Sequence, residues 1–397
     1  MDATIEKHKK SRWGYLAVGV VLLLFLGLIY AWSVFRGPLM EDIGAGVANT
    51  FTITMIMFCF GGLLGGIVNG KASPKVTLVL CLIFVFAGVF CTSLVHSAVG
   101  VFLTYGVCYG LGVGLGYNTV ISTVLKWFPD QQGLASGILL MGFGFGSMLL
   151  GMVASTMMAS MGWRVTFKVL ALALGVVILL CTFVLRPASD SFVQNMTQGS
   201  GKANSAVEEL NTAGMLARRN FWLFFLWAII LSAAGLIVIN TSTPYAERFV
   251  GSGAAAGVAG IVSIANGGGR VIFGGLFDRI GYRLTMLLNC AVCVAAGFVL
   301  LASLSSMSTP VLILAFILTG ISYGGAPTSS SAFTAFFFGR KYYAVNFPIM
   351  NLNLIVASLV GPILANTFSY HVGFTAIIAF GVAGVVLTLL LKKPESM

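Results

Sequence analysis

The chain has 397 residues, 58% of them hydrophobic and 8% charged, which is too little charge to cover the surface of a soluble protein of that size. Its net charge of +11 is dispersed between apolar runs rather than gathered in a basic patch, which excludes a nucleic-acid partner. What remains is a protein whose solvent is the lipid bilayer.

Twelve apolar runs follow one another, at roughly 13–35, 49–69, 76–96, 99–124, 133–158, 163–185, 221–244, 254–277, 284–306, 310–334, 343–367 and 371–391. Each is long enough to cross a hydrocarbon core of about 30 Å. None alternates apolar and polar residues, so helices rather than barrel strands are expected. The first run is too long for a cleaved leader, and the bulky Tyr30-Ala-Trp-Ser-Val-Phe-Arg36 that ends it offers no small-residue cleavage site. Of the 22 Lys and Arg residues, 17 fall in segments that share a side with the N-terminus, among them Arg12, Lys71, Lys126, Arg186, Arg279 and Lys392. The positive-inside rule then places both termini in the cytoplasm.

Residues 186–219 form the one long polar stretch and separate six runs (1–185) from six (220–397). The two halves repeat. Gly65 to Thr77 after the second run aligns with Gly274 to Thr285 after the eighth, and Trp127-Phe128 before the fifth aligns with Phe337-Phe338 before the eleventh. Two matches at nearly one offset argue for a parallel duplication, a known transporter design. The expected fold is an all-α membrane protein of twelve transmembrane helices in two pseudo-symmetric six-helix bundles.

Polar residues gather on some runs and avoid others. The fourth carries Tyr117, Asn118, Thr119 and Ser122. The eighth carries Ser263, Asn266 and Arg270 at helical spacing, hence on one face. The tenth carries Ser322 and Tyr323, and the eleventh Asn346, Asn351 and Asn353. The middles of the third, sixth, ninth and twelfth are nearly bare, so these are expected to face lipid while the others line a cavity. The glycines Gly61, Gly65, Gly106, Gly110, Gly114, Gly133, Gly137, Gly142 and Gly146 permit close helix packing.

Arg270 is the charge with no loop or helix end to explain it. A guanidinium stays protonated in a protein. Holding it at membrane depth costs at least ~2.5–3.5 kcal/mol. Snorkelling to the headgroups is the bland alternative, and the shared face with Asn266 and Ser263 argues against it. Lys168 is the reverse case, a lysine near the outer end of a lipid-facing run. All eleven acidic residues lie in termini, loops or helix ends, so no buried carboxylate relay exists for protons. The seven cysteines read as small core residues, and no cluster suggests a metal or a cofactor.

Four stretches carry a resemblance to a known family. Gly274-x-x-x-Asp278-Arg279-x-Gly281-x-Arg283 resembles the loop motif of the major facilitator superfamily. Tyr30-Ala-Trp-Ser33, Tyr117 to Gly137, and Asn266-Gly-Gly-Gly-Arg270 resemble the oxalate/formate antiporters within it, relatives of the monocarboxylate transporters. The resemblance implies the major facilitator fold, with Arg270 as the substrate-binding arginine and Tyr30, Tyr117, Phe143 and Tyr323 as cavity aromatics. It implies a conformational gate at Asp278, Arg279 and Arg283. The oxalate carrier has a lysine in the eleventh helix where this chain reads Asn351-Leu-Asn353, which argues for a monoanion over oxalate.

These observations predict a secondary active carrier, not an enzyme, functioning as a monomer in a bacterial inner membrane. It would exchange a small carboxylate (formate, lactate or pyruvate class) by alternating access. Arg270 would meet the carboxylate, with Asn266, Asn351 and Asn353 adding amide contacts. Proton symport through Glu247, a histidine or water, and oxalate-type dicarboxylate exchange, are the alternatives. A transporter-like sensor is disfavoured because the central loop and the tail are short.

Overall fold

The computed structural model describes residues 3–189, 191–193, 196 and 209–393, all of whose regular elements are helical. Among the described residues, ten helices are long and apolar enough to cross a membrane, and two of them, of 53 and 50 residues, are double length. Each double helix breaks at a glycine held at positive φ, Gly162 (φ 75°) and Gly281 (φ 79°), a conformation that costs a Cβ-bearing residue dearly. Counting each as two gives the twelve predicted spans.

We number them α1 (Ser11–Ile43), α2 (Thr50–Lys71), α3 (Pro74–Thr92), α4 (Ala98–Leu125), α5 (132–161), α6 (163–184), α7 (Arg219–Val250), α8 (252–280), α9 (282–306), α10 (Thr309–Phe338), α11 (343–367) and α12 (Tyr370–Leu390). Several run past their predicted ends: α1 reaches Ile43 through Pro38, and α7 reaches Val250 through Pro244. Three are irregular inside. A 3₁₀ segment, Gly27–Ala31, interrupts α1, a π-helical segment, Phe102–Tyr109, opens α4, and α11 breaks at Leu352 between Tyr343–Asn351 and Asn353–Thr367. Such irregular turns are frequent at functional sites.

By its packing the chain divides into two units, Met1–Asp130 with Gly142–Ala203, and Gln131–Met141 with Asn204–Met397. Part of the expected 186–219 linker (190, 194, 195 and 197–208) lies outside the described residues.

In the first unit, α2 and α4 are pressed backbone to backbone. A Cβ on Gly114 would sit 2.1 Å from the Phe58 carbonyl oxygen, and one on Gly61 2.2 Å from that of Leu111. Asn118 donates across the same seam to the Gly62 carbonyl at 3.0 Å. Small residues do this work in membranes because lipid supplies no hydrophobic drive between helices. At one end, Arg12 pairs with Asp130 at 2.7 Å and lies over the Phe128 ring. At the other, Asp42 accepts from both Arg164 (2.9 Å) and the Trp163 indole (3.2 Å). Trp127 donates to the Arg186 carbonyl at 2.8 Å and Trp163 is likewise buried, whereas Trp13 and Trp222 are exposed. The first two indoles therefore pin loops and helix ends rather than float at a lipid interface.

In the second unit the core is aromatic: Phe224 and Phe337 each stack on Phe333, both at 3.9 Å. The segment entering α7 is strapped onto this core. Glu209 accepts from the Lys341 amide at 2.8 Å, Leu210 donates its amide to Phe338 at 3.1 Å, and Asn346 bonds both Leu210 (2.9 Å) and Thr212 (3.0 Å). Met215 behind them is fully buried. Asn346 is thus an anchor for this strap.

Buried hydroxyls differ in their satisfaction. Tyr245 shares a 2.7 Å hydrogen bond with Ser303, while the hydroxyls of Tyr105 and Tyr109 in the π-helical segment have no partner among the described residues. An unmade buried hydrogen bond is a cost that deletion relieves. Tyr109→Phe is expected to leave the melting temperature unchanged or raised. Tyr245→Phe should lose about 0.6–1 kcal/mol in the same thermal-melt assay.

Candidate functional site

Arg270 sits in α8 and is only 5% exposed. Glycines make that burial possible. A Cβ on Gly269 would lie 2.3 Å from the Ile321 oxygen, and one on Gly324 would lie 2.2 Å from the Asn266 oxygen, so α8 and α10 meet at backbone distance. On its other side, a Cβ on Gly137 would lie 2.4 Å from the Arg270 carbonyl oxygen. Both seams beside Arg270 are thus made by glycines.

The guanidinium is only partly engaged. Nε donates to Asn266 Oδ1 at 3.3 Å, one helical turn earlier, and Nη1 donates to the Leu140 carbonyl at 2.6 Å. Nη2 has no acceptor among the described residues, and no described carboxylate pairs with Arg270. Among the described residues, the buried charge meets neutral dipoles. Asn266 holds the fork in orientation rather than standing free. Tyr323 follows on α10, 9% exposed, its ring seated on Gly235 of α7.

The other predicted contacts fall in two places. In the second unit, Asn351 is buried at the end of the first α11 segment, and Asn353 donates back to the Met350 carbonyl, capping the break at Leu352. In the first unit, Tyr30, Tyr117 and Phe143 come together: Phe143 lies 5.3 Å from Tyr30 and 4.8 Å from Tyr117. Phe58 completes the cluster, 5.1 Å from Tyr117 and stacked 6.0 Å from Phe143. Sequence reading missed Phe58, which has no polar neighbour to single it out. Tyr30 lies in the 3₁₀ segment of α1.

The three expected gate residues separate by role. Asp278 accepts from the amides of Gly133 (2.9 Å) and Leu134 (2.7 Å), the second and third residues of α5. A carboxylate here satisfies orphan amides and complements the positive helix end. Arg283 is exposed and reaches the Leu389 carbonyl at 3.4 Å, and Arg279 is exposed. Lys168 is half-buried, and Glu247 is exposed near the end of α7. No group of three or more His, Cys, Asp or Glu able to hold a metal occurs among the described residues.

Comparison with known proteins places this architecture. The family model of the Major Facilitator Superfamily matches residues 15–354. The oxalate:formate antiporter of Oxalobacter formigenes is 28% identical, over 98% of this chain and 94% of its own. YhjX, an uncharacterised transporter of the same superfamily from Escherichia coli K12, is 24% identical over 90% of this chain and 88% of its own. The proton:xylose symporter XylE superposes with a TM-score of 0.73 at 15% identity, covering 96% of this chain and 95% of that one. The transporter FucP in its outward conformation gives 0.70 at 12%, covering 95% and 99%. The two structures speak to the fold alone.

The fold and the family match together define a multi-pass membrane transporter. The chain belongs to the Major Facilitator Superfamily, and it is a secondary transporter of a small molecule rather than an enzyme.

Proposed function

We propose that the protein exchanges small monocarboxylates, of the formate, lactate or pyruvate class, across a bacterial cytoplasmic membrane, with both termini inside. One observation carries the reading: Arg270 is buried, charged, without a carboxylate partner among the described residues, and retains an unused Nη2 edge. A carboxylate meets such a fork with two parallel hydrogen bonds. Binding neutralises the charge, and an empty site leaves it desolvated, so movement without cargo is disfavoured and exchange is favoured. Asn266 orients the fork. Tyr323, Asn351 and Asn353 supply polar and aromatic contacts in the second unit, and Tyr30, Tyr117 and Phe143 in the first. Asp278, with Arg279 and Arg283, serves the conformational gate, and the carrier works as a monomer by alternating access.

Likeness to an oxalate:formate antiporter supports a second reading, exchange of a dicarboxylate. Charge decides between them. A dianion is best met by two cations, and α11 offers the neutral Asn351 and Asn353 rather than a second one. Competition measures the difference: unlabelled formate and lactate should inhibit counterflow at concentrations at least about tenfold lower than oxalate, about 1.4 kcal/mol of preference. Oxalate as the strongest competitor would support the dicarboxylate reading instead. Proton symport would instead show uptake driven by external acid without internal carboxylate.

A further inference from the structure

Arg270 has a second occupation besides waiting for cargo. Residues Gln131–Met141, the start of α5, pack within the second unit and run along α8. Four contacts hold them there. At one end Asp278 caps the amides of Gly133 and Leu134. Next, Gly133 and Gly274 meet, each with a would-be Cβ within 2.3 Å of the other's carbonyl oxygen. Then Gly137 abuts the Arg270 carbonyl. At the deep end the Arg270 guanidinium donates to the Leu140 carbonyl at 2.6 Å. Asp278 and Arg270 are eight residues apart on α8, about 12 Å along its axis. The segment is latched at both ends by side chains and seamed by glycines between them.

The deep latch uses the same guanidinium that the proposed cargo needs. We propose that the Leu140 carbonyl is the internal stand-in for the substrate carboxylate, and that cargo binding at Arg270 displaces it and releases Gln131–Met141 from α8. This inference rests on the carboxylate-binding reading of Arg270. An ionised acceptor makes shorter hydrogen bonds, roughly twice as strong as a neutral carbonyl does. A carboxylate therefore outcompetes Leu140 for Nη1 while also taking Nη2. The empty carrier keeps its latch and cannot open on that side. The loaded carrier loses the deep latch and retains only the Asp278 cap. Strict exchange then has a structural cause beyond the cost of a bare charge: the residue that reads cargo also locks the gate. Gly137 sets how tightly the latch closes, because a methyl group there would collide with the backbone of Arg270.

The test uses purified wild-type carrier and the variant Gly137→Ala. Hydrogen–deuterium exchange of the peptide covering 131–141 is followed with sodium formate, sodium lactate or sodium chloride, alongside a thermal-shift assay for binding. Formate or lactate should stabilise the protein in the melt, yet speed exchange in 131–141 severalfold over chloride. In proteoliposomes, Gly137→Ala should retain counterflow and gain at least a tenfold higher net efflux of lactate without external carboxylate. Anion binding with unchanged exchange in 131–141 would overturn the latch while leaving the carboxylate site intact. So would a Gly137→Ala protein that exchanges and stays as tightly coupled as wild type. Absence of any shift with either anion, in wild type and Arg270→Ala alike, would instead remove the carboxylate reading itself, and the latch with it. The wild-type exchange experiment stands on its own if Gly137→Ala fails to fold.

Discussion

Arg270→Ala is expected to abolish carboxylate counterflow and to weaken binding by at least about 30-fold, a loss of ~2–5 kcal/mol for removing one partner of a buried charge-assisted pair. The magnitude follows from the geometry. Arg270 is 5% exposed, and its guanidinium is oriented by Asn266 and carries a donor edge that no described residue uses. Arg270→Lys keeps the charge but loses the planar fork, and should fall between wild type and alanine. A companion variant separates function from structure. Arg270→Met fills similar volume without a charge, and removing a buried charge that lacks a carboxylate partner is neutral or stabilising. Its melting temperature in the absence of cargo should therefore match or exceed that of wild type while transport is lost. A structural arginine would show the opposite, a destabilised protein with residual transport.

The second large effect concerns folding. Gly114→Leu should destabilise the protein by about 3 kcal/mol or more, at the upper end of what overpacking costs. A Cβ on Gly114 would sit 2.1 Å from the Phe58 oxygen and 2.7 Å from the Gly62 nitrogen, and these atoms belong to helix backbone, which cannot rotate away. Separating α2 from α4 would also stretch the Asn118–Gly62 hydrogen bond. Against a typical net stability of ~5–15 kcal/mol, that loss should appear as a sharply lower monodisperse yield and melting temperature in detergent. Gly70→Leu, on the partner helix α2, is the control. Nothing lies within 4 Å of a Cβ there, and the change should stay within about 0.5 kcal/mol.

Much of this architecture is legible in the residues because the bilayer is a demanding solvent. Apolar length and charge placement mark the twelve spans, and Gly162 and Gly281 fall in the short gaps expected between the fifth and sixth and the eighth and ninth. Arg270 stands out for the same reason, as a charge in a run that otherwise excludes charge. What was not legible is what depends on backbone atoms and on distance along the chain. The Leu140 carbonyl that receives Arg270 carries no side-chain signature, since every residue has a carbonyl. The loop motif marked Asp278 as a gate residue, but its acceptor geometry on Gly133 and Leu134 appears only once α5 is packed beside α8. The strap of Glu209 and Leu210 lies in a polar stretch that reads as linker, because its three hydrogen bonds to the distant Lys341, Phe338 and Asn346 leave no periodicity. The π-helical segment of α4 looks from sequence like any other glycine-containing apolar run.

The central claim is that a monocarboxylate is exchanged through Arg270, and uptake into preloaded proteoliposomes tests it most directly. Vesicles containing wild type or Arg270→Ala are loaded with formate, lactate, pyruvate or oxalate, and uptake of labelled formate or lactate is followed with and without a pH gradient. Uptake is expected to be saturable, to require an internal monocarboxylate, to be indifferent to the gradient, and to disappear in Arg270→Ala. Uptake driven by external acid into vesicles without internal carboxylate would contradict exchange. Undiminished uptake in a folded Arg270→Ala protein would contradict the site.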